Sequence, residues 1–167
     1  FTVNIATGAR FTRENPSSSL RALRASRPDA ELILVGKKPF LALVESWGIA
    51  DRTIALPPQG LGYFAFFRGL RAEHPDVWLL FTNSVRGDLE AWLTRSPQRF
   101  GLQRPSRSRP LLSHRYRVPA DFDERTRHQL ELWDHFLRHF GLNVPPDRSP
   151  LPTPAGYTPA PATGPIG

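Results

Sequence analysis

The stretch VWLLFTNSVRGDLEAWLTRSPQRFGL, residues 77–102, decides the fold class of this 167-residue chain. Its opening VWLLF is an apolar run of strand length, which is typical of a strand covered on both faces of a sheet. Thr82, Asn83 and Ser84 follow and offer N-cap oxygens to a helix predicted over residues 85–93. A second strand is predicted near residues 99–102. The stretch therefore predicts one strand–helix–strand unit of an α/β sheet.

The same alternation continues on both sides of this unit. Further strands are predicted over residues 2–6, 31–35, 52–56 and 114–118, and further helices over residues 16–26, 39–47, 63–73 and 124–140. Gly48 and Gly141 stand where two of these helices should end. Strands that alternate with helices favour parallel pairing through helical crossovers. We therefore expect an α/β domain over residues 1–143, a parallel sheet with helices on both faces.

The aromatic residues of the predicted helix over residues 63–73 have two readings, a base-stacking surface or a packed core. They are Tyr63, Phe64, Phe66 and Phe67, and we expect them in the core.

Residues 144–167 are different in composition, since eight prolines fall within residues 145–167. This stretch predicts a Pro-rich linker or tail. Because the chain starts with Phe1 and contains no Met, we expect it to be a fragment of a longer protein.

The net charge of +7 is placed unevenly. The span from Arg95 to Arg117 holds seven arginines and no acidic residue. Such a segment suits nucleic acid, an anionic membrane surface or a phosphorylated substrate, or is simply a solvated basic loop. Nucleic acid is not expected, because the span lacks interleaved aromatic residues and the chain has no zinc-finger or RNP-type motif. No apolar run approaches the ~20 residues of a membrane span.

Metal and cofactor chemistry find little support in the residue types. The chain has no Cys, which excludes disulfides, thiolate metal sites and a Cys nucleophile. His135 and His139 can share a helix face, but only Glu131 and Asp134 lie near them and no HExxH pattern is present. No G-x-G-x-x-G or Walker-type loop follows a predicted strand. We expect neither a metal site nor a cofactor.

The polar residues after the strand at 77–81 are candidates for ligand binding. In open α/β sheets the carboxyl ends of the strands face the ligand crevice, which places Asn83, Ser84 and Arg86 there. Arg10 and Arg13 follow the first predicted strand, so parallel pairing would bring them to the same edge. For Asn83 and Ser84 the alternative is helix capping alone.

The opening stretch also resembles glycosyltransferase family 9, the bacterial ADP-heptose:lipopolysaccharide heptosyltransferases. The acceptor-side domain of that family often shows an NS-x-R/K-S/A turn and a P-x-R-x-G strand, which here read NSVR at residues 83–86 and PQRFG at residues 97–101. Further matches in the same order are SLRALR at residues 19–24, RPDA at 27–30, RPLLSH at 109–114 and RHQ at 127–129. The resemblance covers residues 16–143.

The resemblance implies a Rossmann-like domain, the N-terminal acceptor-side half of a GT-B glycosyltransferase. The implied reaction transfers heptose from the nucleotide sugar ADP-heptose to a lipopolysaccharide inner-core acceptor. The donor would bind a second domain beyond residue 167, so the chain alone should be inactive. The implied location is cytoplasmic, with peripheral contact at the anionic inner membrane. The alternative of a different class is a non-catalytic α/β domain that binds an anionic glycan or a phosphorylated ligand.

The expected catalytic base is the point at which the chain departs from the family. The family usually carries a Gly-Asp pair after its first strand, whereas residues 6–16 read ATGARFTRENP and contain no Asp. Glu14 is the only carboxylate in this loop and so the candidate base for the acceptor hydroxyl. Its alternative role is a favourable negative charge at a helix N-terminus. Arg10 and Arg13 are candidates for bidentate contacts to acceptor phosphates or carboxylates.

Overall fold

The computed structural model describes residues 2–6, 17–122 and 129–142. The strands are β1 (Thr2–Ala6), β2 (Glu31–Gly36), β3 (Arg52–Ala55), β4 (Val77–Leu80), β5 (Gln98–Gln103) and β6 (His114–Arg117). The helices are α1 (Ser17–Ser26), α2 (Lys38–Trp47), α3 (Tyr63–Gly69), α4 (Val85–Leu93) and α5 (Gln129–His139). A single 3₁₀ turn, Leu70–Glu73, continues α3.

All six strands pair in parallel in the order β3-β2-β1-β4-β5-β6. Ala6, at the end of β1, lies opposite Val35 on one side and Leu80 on the other. The chain builds the sheet outward from β1 in one direction and then crosses to β4 to build the other half. The predicted Rossmann-like parallel sheet is confirmed. The point between β1 and β4 where the order reverses is where such sheets open a ligand crevice.

Successive side chains of the apolar run at residues 77–81 pack alternately into two hydrophobic cores, one on each face of the sheet. Val77, Leu79 and Phe81 belong to the core under α1, α2 and α5. Trp78 and Leu80 belong to the core under α3 and α4. Because both faces of β4 are covered by helices, neither face can carry polar side chains, which explains the unbroken apolar sequence.

The predicted helix ends are confirmed at several positions. The Ser84 Oγ accepts a hydrogen bond of 3.0 Å from the Gly87 backbone N–H and so caps α4. Gly48 follows α2 with φ of +62°, a left-handed conformation that glycine adopts without a steric cost.

Two details differ from the sequence-based expectation. Of the α3 aromatics, Tyr63 and Phe67 are buried, whereas Phe64 is 41% exposed because it lies on the outer face of the helix. The regular helix is also shorter than predicted and ends at Gly69. The predicted start of the last helix and the Pro-rich tail lie outside the described residues.

Candidate functional site

A cavity of about 580 Å³ opens at the carboxyl rim, the edge of the sheet where the carboxyl ends of the parallel strands lie. Its volume is in the ~300–1,000 Å³ range of small-ligand pockets. The loops after β2, β3 and β4 and the first turns of α2, α3 and α4 supply its walls. The lining residues are Lys37, Lys38, Leu56, Pro57, Pro58, Gln59, Tyr63, Thr82, Ser84, Arg86 and Glu90. We call this cavity the rim pocket.

Three side chains in the rim pocket hold one another in place. The Tyr63 hydroxyl donates a 2.8 Å hydrogen bond to Glu90 Oε1. The Arg86 Nε donates to the same oxygen at 3.0 Å, one helical turn away on α4. The Arg86 guanidinium carbon also lies 4.1 Å from the centre of the Tyr63 ring, within the range of a cation–π contact. Arg86 is therefore oriented by two partners although its side chain is 40% exposed.

Burial shifts the proton affinity of this group of residues. Burial raises the pKa of Glu90, although the hydrogen bonds from Tyr63 and Arg86 act in the opposite direction. Burial and then the hydrogen bond to Glu90 raise the pKa of Tyr63 to about 12. Tyr63 thus stays a protonated hydrogen-bond donor at neutral pH.

Positive charge prevails in the rim pocket. Lys37 and Lys38 are both exposed on the wall next to β2, and Arg86 lies on the wall formed by α4. Glu90 is the one carboxylate among the described lining residues. Three cations and one carboxylate favour an anionic ligand.

The turn between β4 and α4 is tightly packed. A Cβ atom on Gly87 would lie 2.4 Å from Thr82 Oγ1 and 3.2 Å from Ser84 Oγ. Only a residue without a side chain fits there, so the first turn of α4 lies directly against the end of β4. This close approach brings Ser84 and Arg86 to the pocket wall.

Of the predicted site residues that the structure describes, some line the rim pocket and one does not. Ser84 and Arg86 line the rim pocket, and Ser84 also caps α4, as the alternative reading expected. Asn83 is not one of the lining residues; its backbone carbonyl accepts a 2.7 Å hydrogen bond from Arg107 Nη1. The binding roles of Asn83, Ser84 and Arg86 stay predictions.

The remaining predicted site residues, Arg10, Arg13 and Glu14, lie outside the described residues. The strand that precedes them does pair in parallel with β4, with Ala6 opposite Leu80. The carboxyl ends of β1 and β4 therefore lie at the same rim of the sheet.

Several lining residues were not predicted from the sequence. Lys37 and Lys38, the only lysines of the chain, directly follow β2 and could have been found by the rule that selected Ser84. Tyr63 and Glu90 are separated by 27 residues, and only the packing of α3 against α4 joins them. No sequence signal identifies that pair.

Arginines of the span between Arg95 and Arg117 have structural roles. Several donate to backbone carbonyl oxygens: Arg99 to Leu111, Arg107 to Asn83, Arg109 to Leu102 and Arg115 to Leu112. The Leu111 and Leu112 carbonyls lie in the irregular chain between β5 and β6, and the Asn83 carbonyl lies in the turn between β4 and α4, so the guanidinium groups supply donors outside the strands. Arg109 is also fully buried and ion-paired with Asp88. Much of the basic span therefore supports the fold.

Within residues 2–6, 17–122 and 129–142, no group of three or more His, Asp or Glu side chains is arranged to hold a metal ion. The described helices include none with the length and apolarity needed to cross a membrane.

Comparison with solved structures shows what the chain resembles. A glycosyl transferase family 9 protein from Veillonella parvula DSM 2008 superposes with a TM-score of 0.64 at 16% sequence identity, over 84% of this chain and 41% of that one. The ADP-heptose LPS heptosyltransferase II of E. coli superposes with a TM-score of 0.64 at 18% identity, over 81% of this chain and 40% of that one. The chain thus spans about two-fifths of the length of either structure.

The resemblance expected from the motifs is confirmed at the level of the fold. No model of a known protein family matches the chain. No curated protein matches it either.

Proposed function

We propose that this chain is the acceptor-side half of a glycosyltransferase with two facing Rossmann-like domains, the GT-B arrangement. The observation that carries the proposal is the rim pocket. It is cationic, has the volume of a small-ligand site and lies at the edge of the sheet where open α/β folds bind ligands. The two solved structures that share the fold are named as a family 9 glycosyl transferase and a heptosyltransferase, which supports the reaction class.

The acceptor that best suits the rim pocket is a phosphorylated glycan. Sugar hydroxyls can bond to the exposed amide of Gln59, and phosphate oxygens suit Lys37, Lys38 and Arg86. Arg86 contributes most to specificity, because Glu90 and Tyr63 orient its guanidinium before a ligand arrives. A lipopolysaccharide inner-core acceptor has this chemistry, and heptose from ADP-heptose is the proposed transferred group.

The reaction also needs a donor site and a base. In the proposed arrangement the nucleotide sugar is bound by a second domain that faces the carboxyl rim. Glu14, in the loop after β1, is the proposed base for the acceptor hydroxyl, and Arg10 and Arg13 its neighbours toward the acceptor. Glu90 is committed to hydrogen bonds from Tyr63 and Arg86, so we assign it to positioning Arg86.

Calorimetric titration of the chain with a phosphorylated inner-core oligosaccharide tests acceptor binding. We expect weak binding that falls as salt rises, because exposed charges are screened over ~8–10 Å. Arg86→Ala should weaken it about tenfold, at the low end for a charge-assisted hydrogen bond because the side chain is partly exposed. Arg117→Ala, an exposed arginine on β6, is the matched control and should change the affinity little.

A transfer assay with ADP-heptose separates the two classes of function. We expect the chain alone to bind the acceptor without turnover, and the chain joined to a donor domain to transfer sugar. Turnover by the chain alone would contradict the two-domain proposal. Binding without turnover even in the two-domain protein would favour the alternative, a non-catalytic domain for an anionic glycan or phosphorylated ligand. Binding that does not depend on salt, or equal losses of affinity in Arg86→Ala and Arg117→Ala, would show that the rim pocket is not the acceptor site.

A further inference from the structure

The outer surface of α3 and α4 exposes large apolar side chains to solvent. Phe64 on α3 is 41% exposed, Trp92 on α4 is 48% exposed, and Leu61 in the turn before α3 is fully exposed. The two helices cover the same face of the sheet and pack against each other. Their outer sides therefore point away from the sheet together, and we call this area the α3–α4 surface.

Arginines accompany these apolar side chains. Arg68, in the last turn of α3, and Arg95, just after α4, are exposed. Arg71 lies between the two helices, where its Nε donates a 2.8 Å hydrogen bond to the Leu93 carbonyl. Burial lowers the pKa of Arg71, and the positive charges of Arg95 and then Arg68 lower it further.

The acidic residues of these helices do not neutralise this charge. Asp88 is buried against Arg109 on the inner side of α4. Glu90 is bonded to Arg86 and Tyr63. Glu73, at the end of the 3₁₀ turn, pairs with Arg52 of β3. The α3–α4 surface is therefore both apolar and positively charged.

From this combination we propose that the α3–α4 surface docks on an anionic lipid bilayer. Trp and Phe prefer the interface between water and acyl chains, and arginines can keep their guanidinium groups at the lipid phosphates while their stems lie along apolar surface. A second copy of the chain fits less well, since a two-fold contact would bring the same arginines together.

The orientation that follows connects this surface to the rim pocket. Both α3 and α4 begin at the carboxyl rim, where Tyr63 and Arg86 line the pocket and Leu61 and Val85 are exposed beside it. A bilayer against the α3–α4 surface would therefore lie next to the pocket mouth, within reach of a lipid-linked acceptor. The docking itself does not depend on the proposed function and is measured without any glycan.

Trp92 provides a natural probe of docking. Of the four tryptophans, Trp78 and Trp133 are buried, and Trp47 lies half-buried on α2 at the opposite face of the sheet. The test is fluorescence with vesicles of equal parts phosphatidylglycerol and a phosphatidylcholine brominated on its acyl chains. We expect quenching of the wild-type chain, none with vesicles of phosphatidylcholine alone, and loss of the quenching in Trp92→Phe, whose co-sedimentation with the anionic vesicles persists.

The charge dependence is tested with two matched double variants. Arg68→Gln with Arg95→Asn should weaken co-sedimentation about 25-fold, because each basic residue near an anionic surface contributes ~1 kcal/mol, or about fivefold. Asn is chosen because Arg95 has φ of +60°, a conformation that Asn tolerates. Arg117→Gln with Arg138→Gln removes the same charge from exposed positions on β6 and α5 and should change binding by less than about twofold.

Three results would overturn the proposal: no binding to the anionic vesicles, binding without Trp92 quenching, or equal losses in the two double variants. Self-association that Trp92→Phe abolishes in lipid-free solution would instead assign the surface to a second copy. Circular dichroism of each variant verifies that it is folded. Because the vesicles contain no glycan, failure here leaves the acceptor titration unaffected.

Discussion

Replacing Arg109 by Met should destabilise the domain more than replacing an exposed arginine of the same loop. The Arg109 side chain is completely buried, and its Nε donates to both carboxylate oxygens of Asp88 at 3.0 Å. Its Nη2 donates to Asp88 Oδ1, and its Nη1 donates to the Leu102 carbonyl. One guanidinium thus joins α4, β5 and the loop that leads to β6.

The expected magnitude follows from the groups that lose their partner. Asp88 is 1% exposed, so Arg109→Met would leave a buried carboxylate without a counter-ion, which costs about 3–5 kcal/mol. The Leu102 carbonyl would also lose a donor, at about 1–3 kcal/mol, although the two losses are not independent. Domains are stable by only about 5–15 kcal/mol, so this change removes a large share. The midpoint of thermal unfolding should fall by roughly 10 °C or more.

Urea unfolding followed by tryptophan fluorescence measures the effect. Arg107→Met is the control, since Arg107 is exposed and donates one hydrogen bond to the Asn83 carbonyl; it should cost less than about 1 kcal/mol. Arg109→Met combined with Asp88→Leu should recover most of the loss, because no charge is then buried. A loss below about 1 kcal/mol in Arg109→Met, or no recovery in the double variant, would refute the reasoning.

Other expectations concern the packed turn and the two titrating groups of the rim pocket. Gly87→Ala should lower the free energy of unfolding by about 1–3 kcal/mol, since its Cβ would lie 2.4 Å from Thr82 Oγ1; adding Thr82→Ala should restore it in urea titrations. Gly69 has a helical φ, and a Cβ atom added there would meet no described atom within 4 Å. Gly69→Ala should therefore raise the free energy of unfolding by about 0.4–1 kcal/mol, and a lowered free energy of unfolding would contradict this. Ultraviolet titration should show a tyrosine that ionises near pH 12 and disappears in Tyr63→Phe. Because that pKa is raised from 10.0, the stability that Tyr63 contributes below pH 10 should be lost as the pH rises toward 12. The pKa of Glu90 in the folded chain is raised from 4.5, so the free energy of unfolding should fall as the pH rises from 4.5 through that raised pKa. If Glu90→Gln left this dependence of the unfolding free energy on pH unchanged, the reasoning would be wrong.

The candidate site could be predicted only where a local rule applied. Ser84 and Arg86 follow a strand and open a helix, so the position of ligand crevices in parallel sheets pointed to them. The same rule also selected Asn83, which is not among the residues that line the rim pocket and whose carbonyl accepts a hydrogen bond from Arg107, 24 positions later. The contact of Tyr63 with Glu90 depends on how two helices lie on one face of the sheet, and no periodicity in either helix reports that.

The sequence alone determined the elements of this protein and their parallel arrangement, because apolar spacing and helix caps act within a few residues of the chain. Ser84 caps the helix that it was expected to cap, and Val77, Trp78 and Leu79 form the strand that their composition predicts. Only the tertiary structure decided which arginines are buried and which are exposed to solvent. In the sequence, Arg109 shows no feature that distinguishes it from its exposed neighbour Arg107. It nevertheless lies in the core, because Asp88, 21 residues earlier, supplies the counter-charge that makes its burial tolerable. Desolvation and pairing depend on distances through space, which spacing along the chain does not encode.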